Sequence, residues 1–177
     1  MIVVIDVGCA RYGGDYSIER LIEEFHPDVI YGFDPSWEAV MFDPPEDLKT
    51  VVHVSNEAAW THDGHVRFTK DGLGGQVTTK GPETPCVDLA RVIIELYGVR
   101  YEREEGGEFS RDETEIILKM DAEGSEYELL DHLISTGADK LLKLAWIEWH
   151  PFGASNVDRR RKAIEDEIAC ELVEWRW

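Results

Sequence analysis

Two short stretches concentrate the side chains able to move protons. "KMDAEGSE" carries Asp121 and Glu123, and "WIEWH" carries Glu148 and His150. Each pair has the spacing that sends two side chains to one side of an extended segment. If the strands that bear them are neighbours, three carboxylates and an imidazole meet. Such a set can take the proton of a hydroxyl, and His150 has the ordinary pKa best suited to that near neutral pH. The same set can hold Mg²⁺ or Mn²⁺. Base chemistry without a metal is the expectation, so no metal ligand is assigned. A structural histidine before Pro151 competes with the catalytic reading of His150. Lys119 lies within a strand and reads as an ion-pair partner rather than a catalyst. Glu126 favours the dipole of the helix it opens.

A second constellation stands near the start. "VVIDVGCARYGGDYSIERL" is an apolar run, then Asp6, then Gly8, Gly13 and Gly14, then helical spacing. Glycines there let the backbone turn and approach a ligand closely. The order does not fit the dinucleotide fingerprint G-x-G-x-x-G, because Ala10 stands where its second glycine belongs. Asp15 near the helix start would repel a pyrophosphate. Asp6 suits a ligand bearing an ammonium or sulfonium charge. S-adenosylmethionine carries both and has no phosphate. Asp34, before Pro35, follows Gly8 by 26 positions and suits the two hydroxyls of a ribose. A turn aspartate is its plainer reading.

The elements that must position these groups alternate. "IVVIDV", "VIYGFDP", "TVVHVS", "TEIILKMD" and "LLKLAWIEWH" read as strands, and "ELVEWRW" as a last one. Ile18, Leu21, Ile22 and Phe25 give a first helix that Pro27 ends. Asp88 caps a second through Leu96, Ser125 and Glu128 form a capping box for a third, and Asp158–Ala169 form a fourth. "HVRFT" suggests a short hairpin arm. "DGLGGQVTTKGPETP" is a loop by composition, and 98–113 is a second, charged loop. Strands separated by helices predict one α/β domain over 1–177, Rossmann-like, with a mainly parallel sheet and helices on both faces. Ligands of such sheets bind beyond the carboxyl ends of the strands. Trp60 would stack on an adenine or fill the core. With one strand after "WIEWH", an exposed edge bearing Trp175 and Trp177 invites a homodimer.

Bulk properties narrow the partners. The 177 residues carry a net charge of −19, which opposes nucleic-acid binding; "DRRRK" is the only basic cluster and reads as a solvated helix face. The apolar runs are too short to span a membrane. Cys9, Cys86 and Cys170 are scattered, as in a reducing cytoplasm. The start has no basic segment of a secretory signal.

The order of "IDVGC…YS", "YGFDP", "VSNEAAWTHDGHVRF", "CVDLARVI", "ILKMDAEGSEYELL" and "WIEWH" resembles the FkbM family of methyltransferases over roughly residues 2–150. The most specific element is "KMDAEGSE". The resemblance implies a class I methyltransferase fold, here one strand short of its usual seven. It implies S-adenosylmethionine as cofactor, held by Asp6, Gly8, Cys9, Gly13, Ser17, Asp34, Pro35, Asn56, Ala58 and Asp121. It also implies O-methylation of a small molecule or sugar hydroxyl, with Asp121, Glu123, Glu148 and His150 as the catalytic set and Asp121 nearest the methyl group. The alternatives are an RNA 2′-O-methyltransferase, an NAD-dependent oxidoreductase and a non-catalytic nucleoside-binding scaffold. The first needs a second lysine and a basic groove, and the second a different glycine pattern.

Overall fold

The computed structural model describes residues 1–9, 17–36, 42–43, 45, 47–71, 74–98, 113–151 and 156–176. Residues 10–16 of the first glycine-rich turn, Gly13 among them, most of the 98–113 loop and Trp177 lie outside them.

The β-branched run "IVVIDV" forms β1 (Ile2–Val7), and it is central. On one side it pairs in parallel with β2 (Val29–Phe33), which pairs with β3 (Val51–Ser55). On the other side it pairs with β8 (Glu115–Met120), followed by β9 (Leu142–Ile147) and β10 (Glu171–Glu174). All six strands are parallel, in the order β10-β9-β8-β1-β2-β3. Strand order therefore reverses between β1 and β8, which is where open α/β sheets place ligands.

Alternation along each strand splits the core in two. Val3, Ile5, Ile116, Leu118 and Met120 pack with the apolar stripes of α2 (Leu89–Gly98), α3 (Glu126–Thr136) and α4 (Val157–Glu167). Val4, Ile30 and Ile117 pack on the other face with Ile18 and Leu21 of α1 (Ser17–Phe25). This is the Rossmann-like arrangement expected from the alternating pattern. No helix among the described residues is long and apolar enough to cross a membrane.

Three local expectations are corrected. The "DGLGGQVTTKGPETP" segment is not a loop throughout. It contributes β6 (Gly74–Thr78) and the start of β7 (Glu83–Asp88), which with β4 (Ala58–Trp60) and β5 (Gly64–Asp71) make a second sheet, ordered β4-β7-β5-β6. Composition argued against strands, but antiparallel pairing to β5 supplies the missing stability. Pro85 is tolerated because β4 pairs only with Cys86–Asp88, so that flank of β7 is an edge at Pro85.

The Ser125–Glu128 capping box does not form. Ser125 has near-helical angles and makes no side-chain cap bond. Glu128 turns outward to Arg160, 2.7 Å away. Asp88 does cap α2, its Oδ1 accepting from the backbone N–H of Ala90 at 2.9 Å and of Arg91 at 3.3 Å.

The C-terminal strand is an edge, but Trp175 is not exposed on it. Only 2% of Trp175 is accessible, because its ring packs on Trp146 with centroids 5.1 Å apart and under Arg20 at 4.0 Å. Trp175, one of the two aromatics expected to recruit a second copy, is packed into the molecule's own core.

Candidate active site

The floor of the site is made where β1, β2 and β8 end together. The Gly8 N–H donates to the Phe33 carbonyl at 2.9 Å, Asp34 N–H to Ser55 at 3.2 Å, and Asp121 N–H to Val7 at 3.0 Å. Gly8 has φ +78, and a Cβ there would stand 1.9 Å from the Asp121 carbonyl oxygen. Only glycine lets these two strand ends close. Above them opens a cleft of about 610 Å³, its mouth included. Val7, Gly8, Phe33, Asp34, Pro35 and Ser36 line one end, and Asp121, Ala122, Glu123 and Ser125 the other. The second sheet supplies the facing wall through Ala58, Ala59, Phe68, Gly75 and Val77.

Asp34 is buried, and its Oδ1 accepts from the Ser36 N–H at 2.7 Å and the Ser36 hydroxyl at 2.5 Å. The Asn56 side-chain amide donates to the Asp34 carbonyl at 3.1 Å and so fixes this turn from behind. Gly8, Asp34, Pro35, Ala58 and Asp121 thus reach the cleft as expected.

Asp6, Cys9 and Ser17 do not line it. Asp6 is in register with Lys119 across β1 and β8, and both side chains point to the α1 face. The cation that meets Asp6 is therefore Lys119, at 3.1 Å, rather than a ligand. Its other oxygen accepts from the Ser17 hydroxyl at 2.5 Å. Burial opposes the Lys119 charge, but Asp6 and Asp121 outweigh it and raise its pKa. Lys119 also donates to the Gly8 carbonyl at 2.9 Å, as the strand-embedded ion-pair partner it was expected to be. Cys9 is fully buried against Gly32, and burial, with Asp6 and Asp34, pushes its thiol well above the ordinary range. Trp60 packs beside Ala58, Val66 and Cys86.

The two proton-moving pairs do come together, though not on extended backbone. After β8 the chain turns, with Glu123 at φ +50 and Gly124 at φ +97. That turn, rather than strand alternation, brings Glu123 round to His150. His150 Nε2 lies 3.8 Å from Asp121 Oδ1, 3.7 Å from Glu123 Oε2 and 3.9 Å from Glu148 Oε1. The ligand atoms of Asp121, Glu123 and His150 all fall within 4.8 Å of one another.

His150 Nδ1 is 2.8 Å from Glu126 Oε1. Glu126, fully buried, is itself held by the N–H groups of Ala122 at 3.0 Å and Gly124 at 2.9 Å. Burial disfavours the charged imidazole, but the Glu126 hydrogen bond and the surrounding carboxylates prevail and raise its pKa to about 9. The raised pKa favours the protonated ring, so the neighbouring carboxylates are the readier proton acceptors. Burial raises Glu123 and Glu148 above the ordinary carboxylate range, and Asp121 pushes Glu148 the same way. The site gathers four carboxylates around one imidazole, with the Glu123 and Glu148 carboxylates made readier to accept protons.

Sequence reasoning missed Ser36, Phe68, Gly75 and Val77. The hairpin reading of "HVRFT" was the signal for Phe68; Gly75 and Val77 sat inside the supposed loop. No family model, curated protein or solved structure matches this chain.

Proposed function

We propose that this protein transfers a methyl group from S-adenosylmethionine to a hydroxyl of a small molecule or sugar. The observation that carries the reading is the charge of the cleft. Among the described residues its titratable lining is Asp34, Asp121 and Glu123, with no lysine, arginine or histidine. A pyrophosphate meets repulsion there, whereas a ligand with a sulfonium and an ammonium is attracted. Asp34 is at the end of β2, where it suits a ribose. The motifs shared with the FkbM family, "KMDAEGSE" above all, support the same reading.

In the transfer, the acceptor oxygen forms a bond to the methyl carbon as the carbon–sulfur bond breaks. The sulfur keeps the bonding pair and loses its positive charge. The hydroxyl proton passes to a carboxylate of the Asp121, Glu123 and Glu148 set. The chain's own contribution is to hold the two reactants in line and to receive that proton, which together are worth several orders of magnitude in rate. The three free cysteines suit a reducing cytoplasm.

One observation favours a second reading. Six parallel strands in this order also match the dinucleotide-binding arrangement of NAD-dependent oxidoreductases. Calorimetric titration of the protein with S-adenosylmethionine and, separately, with NAD⁺ decides between them. We expect micromolar binding of the first and none of the second. The reverse result would overturn the methyl-transfer reading. Label transfer from methyl-tritiated S-adenosylmethionine to a panel of sugar and phenolic hydroxyls then identifies the acceptor.

A further inference from the structure

We propose that Asp121, Glu123 and His150 form a binding site for one hard divalent cation, of the Mn²⁺ or Mg²⁺ type, at the acidic end of the cleft. Around such an ion, ligand atoms about 2.1 Å from the metal lie roughly 3 Å apart when adjacent and roughly 4 Å apart when opposite. The three ligand atoms here fall within 4.8 Å of one another, so small side-chain rotations close the set. The separations of 3.7 and 3.8 Å from His150 Nε2 to Glu123 and Asp121 exceed a hydrogen bond, and each closes to about 3 Å if the three atoms take neighbouring positions on one ion.

Two further observations point to a cation. Asp121 is only 9% exposed and opens into the cleft, yet among the described residues its carboxylate accepts no hydrogen bond. The charges it meets are Lys119 at 3.9 Å and His150 at 3.8 Å. A carboxylate buried to this degree ordinarily has a donor or a metal. Beside it, the Glu148 Oε2 atom is buried with no hydrogen-bond partner.

The second observation is the support behind His150. Its Nδ1 is bound by the fully buried Glu126, and this turns Nε2 towards Asp121 and Glu123. A carboxylate behind a histidine is the usual way a ligating imidazole is oriented and made more basic. Two carboxylates and one imidazole, with no thiolate, select a hard ion over a soft one. The ion would present a Lewis acid to the acceptor oxygen. That role rests on the methyl-transfer reading; the binding site does not.

The test uses the full chain, stripped with chelator and titrated with MnCl₂ alone. Calorimetry and the electron paramagnetic resonance of free Mn²⁺ count the bound ions. We expect one site per chain, displaced by excess MgCl₂. Glu123→Gln, a change on a partly exposed turn, should weaken it at least tenfold with the thermal midpoint kept. Asp121→Asn should do the same. The absence of binding at millimolar Mn²⁺ overturns the proposal. So does equal affinity in Glu123→Gln, which would assign the ions to the acidic surface at large. Mn²⁺ binding that depends on Glu123 in a protein that takes no S-adenosylmethionine would uphold the ion site and remove only the methyl-transfer reading.

Discussion

The Asp6 carboxylate and the Lys119 ammonium lie 3.1 Å apart, fully buried, at matched positions on neighbouring strands. A pair of this kind contributes little net stability over apolar residues, but removing one member leaves a buried charge without compensation. Lys119→Met should therefore cost about 3–5 kcal/mol. Asp6→Asn combined with Lys119→Met should cost clearly less than the sum of the two single changes. Urea midpoints at constant slope measure both. Additive losses would show that the pair does not act as a unit.

Gly8 supports a prediction about the cleft itself. Gly8→Ala combines a positive φ with a Cβ 1.9 Å from the Asp121 carbonyl, and backbone cannot yield as a flexible side chain can. We expect a loss of about 1–3 kcal/mol in stability. A displaced Asp121 should also weaken nucleoside binding at temperatures where the variant remains folded. Calorimetry that finds both quantities unchanged would mean that β1 and β8 do not meet as described.

Asp34 is the predicted ribose contact. Asp34→Ala should remove about 1.5–3 kcal/mol of charge-assisted hydrogen bonding, a ten- to hundredfold loss of S-adenosylmethionine affinity. Because Ser36 also depends on this carboxylate, Asp34→Asn is the companion variant, with a smaller loss. Unchanged affinity in Asp34→Ala removes the ribose assignment.

The facing wall gives a prediction of non-additivity. A Cβ on Gly75 would stand 2.0 Å from Phe68 Cζ, so Gly75→Ala must push the ring aside. The acceptor's Michaelis constant should rise several-fold with cofactor affinity kept. Phe68→Ala should abolish the effect of Gly75→Ala, giving a coupling of about 1 kcal/mol or more in a double-mutant cycle. Independent effects would place the ring elsewhere.

The centre of the large sheet was legible because β1 and β8 are buried on both faces and so read as unbroken apolar runs rich in β-branched residues. "IVVIDV" and "EIILKM" have no other plausible state. The meeting of Asp121, Glu123, Glu148 and His150 followed from their places after neighbouring strands. The second sheet was hidden because β6 and β7 are short and rich in Gly, Thr and Pro, and they are strands through their pairing with β5 and, for β7, with β4 as well. The pairing of Asp6 with Lys119 was hidden for a different reason. A carboxylate at a strand tip looks ligand-facing until the register shows Lys119 opposite it. The basicity of His150 was equally out of reach, since four carboxylates gather round it from β8, its following turn, α3 and the end of β9.

Glu126 has a consequence for how the molecule breathes. One buried carboxylate holds two amides of the turn after β8 and a side chain beyond β9. Neither segment can open without releasing the other, because a detached Glu126 would be left charged inside the protein. The amide protons of Ala122 and Gly124 should therefore exchange with solvent at one common rate, far below that of an ordinary surface turn. Fluctuations that loosen most loops should be suppressed here, so that the acidic end of the cleft keeps its shape.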